Sequence, residues 1–558
     1  MPLPIPPLTT EKIISLVVGS AIFYVILLLI GRVTGKWISG MTDYFAGGRE
    51  VSILLIASVF MGIGFAGSMI SAIPALAIGW GFWPTVWYFI PWAAVLGIFG
   101  VGVGPLIRRT GIHTIAEWMG QKYGSGSRMA ASWATIIGLL GVTAAQYVGL
   151  GRILQVLTGW PYWQSTLVAM VIVSLYMYLG GLWAVSVEAF AQLLFGVVGV
   201  LGVIFWAGIT FGWVDWLALN VPPHVFAPLG SLGTKMLAGF TYTNIPTWLL
   251  TWFMLVFGSQ YYWIMMASAR SDRAAKIGPI IGGVGATIIF AVWMALAGVY
   301  AFAIGGPPGP QTWDVRGAYG LLMRFMPPGL DAFLLLAMVA AALTTAGPPI
   351  IAMSSVATRD IYCTIKRKRP DEALLAGRIF TVFFSLITWL VAVFWVYGAE
   401  LMLALGCALL GPLAVTFILG IAIKRVSPGG VMAGIIAGII GVLIWQFWPS
   451  TPPLWVKYAH MSWIALLITA VVTLVVSMFT KPKYFALPTW RPPKPVGFSS
   501  TMKIGDDVIE HAKLIDSLAK PVNIFGLADR LEKIRFRSRS PTILEALFPI
   551  LYRRDKNV

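Results

Sequence analysis

Runs of about 20 apolar residues recur along most of this chain, and no other feature limits its fold as strongly. Each run is long enough to cross a bilayer as an α-helix, in which a single segment satisfies its own backbone hydrogen bonds. Hydrophobic residues make up 58% of the 558 residues and charged residues only 11%, which excludes an ordinary soluble domain. The sequence therefore predicts an all-α polytopic membrane protein with about 13 transmembrane helices. We expect them at residues 13–31, 52–78, 83–105, 129–154, 162–180, 186–211, 246–267, 277–304, 331–356, 377–397, 401–423, 430–448 and 461–479.

The positive charge of the chain is divided unevenly between the two sides of the predicted membrane. The net charge is +18, and most basic residues fall in alternate loops, such as 270–276 and 359–378, and in the tail after Lys481. Because cytoplasmic loops carry the excess of Lys and Arg, we expect the N-terminus outside, the C-terminus in the cytoplasm and a plasma-membrane location. The charge thus reflects topology, and no nucleic-acid partner is expected.

A proline pair interrupts the apolar run that begins at Asp331. Pro348 and Pro349 lack the N–H groups that the carbonyls of Thr344 and Thr345 would bond in a regular helix. Free backbone oxygens are costly in hydrocarbon, and broken helices survive at membrane depth where they are buried in protein or line a cavity. We therefore expect a membrane helix broken at this point, with the oxygens of both threonines facing a dehydrated cation.

Two other spans have weak centres, five spans apart. Span two contains Gly62, Gly64, Gly67 and Ser68, and span seven contains the stretch 258–260, Gly-Ser-Gln. Corresponding interruptions in the two halves of a chain are typical of inverted-repeat transporters, which bind their ligand near the bilayer midplane. The alternative is that these glycines only allow close helix packing, as we expect for the glycines of span twelve.

Several longer motifs together resemble the sodium/solute symporter family, whose members share the leucine-transporter type of fold. The matching segments lie in order between about residues 43 and 440, and they are Asp43–Arg49, Thr114–Gly124, Gly180–Gln192, Ser354–Tyr362 and Lys424–Gly434. The resemblance implies a core of 5+5 helices in an inverted repeat. The divisions that we expect are an extra N-terminal helix at 1–35, the ten-helix core at 43–425, two additional helices at 426–480 and a basic cytoplasmic tail with amphipathic helices at 481–558.

Carried over residue by residue, the resemblance implies a sodium site of three carbonyls and two hydroxyls. The carbonyls belong to Gly62, Phe65 and Ala341, and the hydroxyls belong to Thr344 and Thr345. Oxygen ligands without a carboxylate suit a monovalent ion better than calcium or magnesium. Na+ is therefore the expected coupling ion, and no organic cofactor is expected. The alternative for the threonines is a hydrogen bond back to their own helix, which is common for membrane threonines.

The chain departs from the family pattern at positions that bear on ion coupling. Gly64 stands where some members carry an acidic residue, and Gly347–Pro348 replaces a common Asp-Ser. Ala189 replaces a frequent aspartate, with Glu188 one residue earlier, and Ile264–Met265 replaces a frequent Gln-Arg. These departures leave coupling to protons open as an alternative to sodium.

The solute is only weakly encoded. Span 277–304 offers little beyond Thr287 to bond sugar hydroxyls, which disfavours a sugar. Arg152 can hold a carboxylate through two hydrogen bonds, although a snorkelling role at the interface explains it equally well. Backbone N–H groups at the break in span two also favour an anion, so we expect a monocarboxylate or an amino acid. The candidate substrate-binding residues are Gly64, Gly67, Ser68, Gln146, Arg152, Ser259 and Gln260.

These features predict a transporter rather than an enzyme, with sodium-coupled uptake of a small organic solute by alternating access. Two other classes stay open, a symporter-like membrane sensor that signals through its tail and a membrane-anchor subunit of a larger complex. A catalytic module nearby would support a sensor, and an anchor would need no cation site. In the tail, Lys503–Lys520 and the basic run Lys533–Arg539 are typical of segments that lie on anionic lipid, with a protein partner as the alternative.

Overall fold

The computed structural model consists of α-helices joined by loops. It describes residues 3–38, 41–227, 244–309, 311–366, 373–395, 398–423, 425–447 and 460–482. Within these ranges there is no β-strand, and one isolated bridge pairs Val51 with Ala269. The helices of the membrane part are α1 Thr10–Gly35, α2 Ile53–Gly64, α3 Gly67–Gly79, α4 Ile90–Gly102, α5 Ser125–Thr158, α6 Tyr162–Thr210, α7 Asn244–Gly258, α8 Gln260–Ala267, α9 Asp272–Ala286, α10 Val292–Gly305, α11 Leu330–Val356, α12 Leu374–Phe394, α13 Ala399–Ala422, α14 Pro428–Gln446 and α15 Met461–Phe479. Shorter helices lie at Met41–Ala46, Phe82–Trp87, Gly104–Thr110, Ile115–Tyr123, Val214–Asn220, Ala318–Phe325 and Cys363–Lys366.

The predicted polytopic all-α architecture is confirmed, whereas the count of thirteen spans is not. Ten helices of the described chain are long and apolar enough to cross a membrane, and two bent helix pairs raise the number to twelve. The spans expected at 162–180 and 186–211 both lie in the 49-residue helical stretch α6, which is two helices divided by a kink at the non-helical residue Gly181, with φ 51° and ψ −142°. Gly181–Thr210 is by itself long and apolar enough to cross a membrane. A positive φ of this kind favours glycine, so the sequence itself provides the kink.

Both predicted weak centres are helix breaks. α2 ends at Gly64 and α3 begins at Gly67, with a bend of 46° between them. α7 ends at Gly258 and α8 begins at Gln260, with a bend of 54°. Each break leaves terminal backbone N–H and C=O groups without a partner in their own helix.

The proline pair does not break its helix, contrary to the expectation from the sequence. α11 runs without interruption from Leu330 to Val356, with Pro348 and Pro349 in its interior. A membrane-length stretch of this helix is 94% buried, so contacts on every side hold it together despite the lost hydrogen bonds. The two prolines therefore leave α11 continuous, and their local effect is that the carbonyls of Thr344 and Thr345 lack a helical N–H donor.

α11, α5 and α13 are the most buried of the membrane-length helices. Membrane-length stretches of these three helices are 94%, 89% and 89% buried, and α11 packs against both α5 and α6. α1 lies at the periphery, where only 17% of its apolar stretch is buried, and it runs along α6 and α11. The predicted division of the chain into four parts stays a prediction. Nearly all of the predicted tail, from 483 to 558 and including Lys503–Lys520, lies outside the described residues.

Candidate cation and substrate site

Four oxygen atoms of the predicted sodium site come together between α2 and α11. The hydroxyl of Thr344 lies 3.2 Å from the carbonyl oxygen of Gly62 and 2.9 Å from that of Ala341. The hydroxyl of Thr345 lies 3.2 Å and 3.4 Å from the same two carbonyl oxygens. All four residues are buried. Gly62 is 282 positions from Thr344 in the chain, so helix packing creates the cluster.

The fifth predicted ligand, the carbonyl of Phe65, lies where α2 ends. Phe65 has φ −95° and ψ 35°, and its N–H group donates to the carbonyl of Gly62 at 3.0 Å. Its ring stacks on Phe290 with a centroid distance of 4.4 Å, which holds the residue in place. No backbone N–H of the described residues donates to the Phe65 carbonyl, so this oxygen is open to a ligand.

The donor set fits a small monovalent cation. Its oxygens are neutral, and the described part of the chain contains no group of three His, Cys, Asp or Glu side chains placed to hold a metal ion. The hydrogen bond from Thr344 to the carbonyl of Ala341 stays within α11. Membrane threonines commonly make such a bond without any ligand nearby. The contacts with Gly62 reach a second helix, and back-bonding does not require them. A bound cation would replace these hydrogen bonds, with both hydroxyls turning their lone pairs to the ion.

Gly64 and Gly67, on either side of the first break, are sites of close helix contact. A Cβ atom at Gly64 would collide with the side chain of Ala286. A Cβ atom at Gly67 would lie 2.9 Å from the carbonyl oxygen of Gln146 and 3.0 Å from Cα of Ala342. The close-packing explanation therefore holds for both glycines, and any ligand contact that they make is through the backbone.

Ser68 and Gln146, both predicted substrate residues, contact each other. The backbone N–H of Ser68, in the first turn of α3, donates to Oε1 of Gln146 at 2.9 Å, and Nε2 of Gln146 donates to the carbonyl of Val142 at 2.9 Å. Both side chains are fully buried, and the Ser68 hydroxyl has no hydrogen-bond partner among the described residues. An uncharged side-chain oxygen thus occupies the N-terminal end of a helix, a position that favours negative charge.

An aromatic wall that the sequence did not reveal lies beside the same break. The ring of Trp92 is 5.1 Å from that of Trp252 and 6.0 Å from that of Tyr262, and its Nε1 lies 3.6 Å from the Cβ position of Gly64. The indole N–H groups of Trp92 and Trp252 are buried without a partner in the described ranges, although buried indoles usually have one. They are candidate donors to a solute. The chain has 25 tryptophans, and tryptophans in membrane proteins commonly lie at the membrane interface. The sequence therefore did not distinguish Trp92 and Trp252 as candidate solute-binding residues.

Ser259 and Gln260 lie at the second break, in different surroundings. Ser259 precedes α8, and its buried hydroxyl has no partner among the described residues. The side chain of Gln260 accepts from the N–H of Ile115 and donates to the carbonyl of His113, both at 2.8 Å. Its amide is thus occupied by the loop before the helix Ile115–Tyr123, and direct contact with a solute would require these two bonds to open.

Charged residues surround that loop. Asp360 is fully buried and accepts hydrogen bonds from Nε of Arg128 and from the hydroxyl of Thr114, both at 2.7 Å. Burial, reinforced by the positive charge of Arg359, lowers the pKa of His113 well below its usual value, so this imidazole is neutral at physiological pH. The network connects Arg128, at the start of α5, to Asp360, in the helical turn Ala357–Tyr362 that directly follows α11.

Arg152 lies near the other end of α5. Its guanidinium is 4.4 Å from the ring centroid of Tyr162, and its Nη1 donates to Oε1 of Gln155 at 3.1 Å and lies 3.8 Å from Oδ2 of Asp314. Six residues of helix, about 9 Å of rise, separate it from Gln146. The structure therefore places Arg152 in an ion pair at the helix end, and it does not group Arg152 with the residues at the first break.

Comparison with known proteins identifies the family. The model of the sodium:solute symporter family matches residues 44–438. The sodium/pantothenate symporter of Haemophilus influenzae is 24% identical over 468 residues, which cover 79% of this chain and 92% of the relative. The sodium/glucose cotransporter 4 of Danio rerio is 24% identical over 516 residues, which cover 82% and 77% of the two chains.

Solved structures of transporters share the fold. A Na+-coupled sialic acid symporter in a substrate-bound outward-open state has a TM-score of 0.71 at 19% identity, and the match covers 85% of this chain and 99% of that chain. Mhp1, a nucleobase-cation-symport-1 family transporter, has a TM-score of 0.51 at 13% identity, with 84% and 98% covered.

The family match and the fold together define a polytopic membrane transporter with the inverted-repeat, leucine-transporter type of core. The chain belongs to the sodium:solute symporter family, and the resemblance found in its motifs is confirmed. Its relatives are sodium-coupled transporters of small solutes, which supports sodium-coupled secondary transport for this chain. Because those relatives are named for solutes as different as pantothenate and glucose, family membership does not define the solute class.

Proposed function

We propose that this protein couples the uptake of a monocarboxylate or an amino acid to the inward movement of sodium by alternating access. The observation that carries the proposal is the contact of the Thr344 and Thr345 hydroxyls with the carbonyls of Gly62 and Ala341. This cluster joins α11, at the centre of the molecule, to the broken span α2–α3. A cation there stabilises the conformation in which the two elements are in contact, and a ligand that favours one conformation is what coupling requires.

A carboxylate suits the N-terminal end of α3. The N–H of Ser68 already donates to an oxygen atom, that of Gln146, and the helix dipole favours negative charge at this point. The indole N–H groups of Trp92 and Trp252 supply further donors, and the aromatic wall suits the hydrocarbon part of a small acid. The hydroxyl of Ser259 at the second break is a candidate partner for an amino group.

Uptake into liposomes tests the proposal. The purified full-length protein is reconstituted and offered a panel of labelled monocarboxylates, amino acids, their neutral amides and sugars, with an inward gradient of either sodium or potassium. We expect accumulation of an acid or an amino acid that requires the sodium gradient. Uptake of neutral solutes alone, or equal uptake with potassium, would overturn the proposal.

A charge at Gln146 tests the position of the carboxylate. Gln146→Glu places a negative charge against the N–H of Ser68, so it should weaken binding of an acidic solute much more than binding of its neutral amide. Gln121→Glu, on the helix Ile115–Tyr123, is the matched control for an added charge. Equal weakening of acid and amide by Gln146→Glu would place the carboxylate elsewhere.

A further inference from the structure

One acidic side chain inside the membrane part is not used by the cation and solute sites. Glu188 lies in α6, seven residues after the kink at Gly181 and about 10 Å along the helix from it. The residue is fully buried, and neither carboxyl oxygen has a hydrogen-bond partner among the described residues. Ionisable groups at such positions in membrane proteins are costly, and they commonly mark ion pathways or proton relays.

Two neutral polar groups accompany this carboxyl. Gln192 follows Glu188 by one helical turn on the same face, and its buried Nε2 also has no partner among the described residues. The hydroxyl of Tyr24, on the peripheral helix α1, is buried without a hydrogen-bond partner among the described residues, and it lies close enough to Glu188 for a charge on that carboxyl to act on it. Tyr24 is thus contributed by a helix outside the predicted ten-helix core.

No cation of the described chain neutralises Glu188. No Arg, Lys or His of the described residues forms an ion pair with it. Arg128 is paired with Asp360, and Arg152 lies beside Asp314. Charged and titratable groups lie on the described elements packed against α6: Glu11, Lys12, Tyr24 and Arg32 on α1, Asp43, Tyr44 and Arg49 before α2, Arg128, Tyr147 and Arg152 on α5, Tyr300 on α10, Asp331 on α11 and Arg378 on α12.

The surroundings favour a proton over a metal ion as the ligand of Glu188. A metal ion needs several oxygen donors, and the described residues contain no group of three His, Cys, Asp or Glu side chains that could hold one. A proton needs one carboxyl oxygen, and it removes the charge that the apolar interior disfavours.

We propose that Glu188 is a proton-binding carboxyl through which this transporter couples solute movement to protons in addition to sodium. The buried carboxyl carries its proton on one oxygen in the conformation described here. When the helices around it admit water from the cytoplasmic side, the O–H bond breaks, the proton passes to water, and Glu188 becomes a carboxylate until it is reprotonated. This inference rests on the proposed transport function, but its site is separate from Thr344 and Thr345.

Infrared difference spectroscopy tests the protonation without any transport measurement. The spectrum of the full-length protein in lipid, minus that of Glu188→Gln, should contain the C=O stretch of a protonated carboxyl at neutral pH. The band should move in heavy water and remain, at a shifted position, in Glu188→Asp, the second variant, which keeps the carboxyl. Glu11→Gln, at an exposed position on α1, is the control and should not change the band. Carboxylate bands in place of the protonated band would overturn the inference.

Transport measurements separate this inference from the proposed function. In liposomes, an inward proton gradient at constant sodium should increase uptake by the wild type severalfold. Glu188→Gln should lose this response and keep its response to sodium, while Glu188→Asp should keep both. A Glu188→Gln variant that still responds to the proton gradient would overturn the inference alone. Absence of sodium-driven uptake in the wild type would instead contradict the proposed function, and it would leave the infrared result unaffected.

Discussion

The hydroxyl of Thr345 lies 3.2 Å from the carbonyl oxygen of Gly62, although 283 positions separate the two residues in the chain. Gly62 belongs to the helix that ends at the first break, and Thr345 belongs to the buried central helix α11. A cation bound between them has contacts with both elements, so its release removes a direct connection between them. This relationship is the basis for the first prediction.

Loss of a threonine hydroxyl should weaken sodium binding. We expect Thr344→Ala and Thr345→Ala each to raise the sodium concentration for half-maximal uptake by roughly tenfold, since a hydrogen-bond partner of a charged group contributes about 1.5–3 kcal/mol. Serine at either position keeps the hydroxyl and should have a small effect. Thr416→Ala is the matched control, because Thr416 is a buried membrane threonine bonded within its own helix, to the carbonyl of Pro412 at 2.7 Å. Unchanged sodium dependence in the double alanine variant would place the cation elsewhere.

Gln260 should act on the rate of transport more than on solute affinity. Its two bonds to the 113–115 loop predict that Gln260→Ala loosens the contact between α8 and this loop. We expect the maximal uptake rate to fall severalfold, while the dissociation constant for the solute, measured by equilibrium binding, changes by about twofold or less. A tenfold loss of affinity at an unchanged rate would instead identify Gln260 as a solute ligand, the role that the sequence suggested.

Arg152 should tolerate lysine. Its contacts with Tyr162 and Asp314 occupy the guanidinium at the end of α5, and a lysine there retains the charge and a long stem. We expect Arg152→Lys to change solute affinity by about twofold or less. A bidentate contact with a solute carboxylate would behave differently, because an ammonium group does not reproduce the planar guanidinium. A tenfold loss of affinity in Arg152→Lys, with sodium binding intact, would assign it to the solute.

The topology predicted from charge should be visible by labelling. We propose that residues after Lys481 and the loop 366–369 face the cytoplasm, and that the segment from Pro307 to Arg316 faces outward. The variant in which Cys363 and Cys407 are replaced is the background, and single cysteines are introduced at Gly309 and in the tail. An impermeant thiol reagent applied to intact cells should label the first position and not the second. Labelling of both cysteines from the same side would contradict this topology.

Local sequence patterns were sufficient for most of the helices and for the two breaks at glycines. Apolar runs of membrane length specify helices because the backbone has no other way to satisfy its polar groups in lipid, and the glycines near 62–67 and 258 predicted both bends. The family was also predictable, because its motifs are contiguous in the chain. The continuation of α11 through Pro348 and Pro349 was not predictable, since the lost hydrogen bonds are local but the packing that compensates for them is not.

Which side chains meet was decided by the tertiary structure alone. The sequence placed Gln146 and Gln260 together as solute ligands, but packing brings one to the N-terminus of α3 and the other to the backbone of the 113–115 loop. It left two explanations for Arg152, and its partners Tyr162 and Asp314 became evident only in three dimensions. The physical reason is that hydrophobic periodicity fixes where a helix starts, ends and weakens, whereas its rotation and depth depend on the neighbouring helices against which it packs.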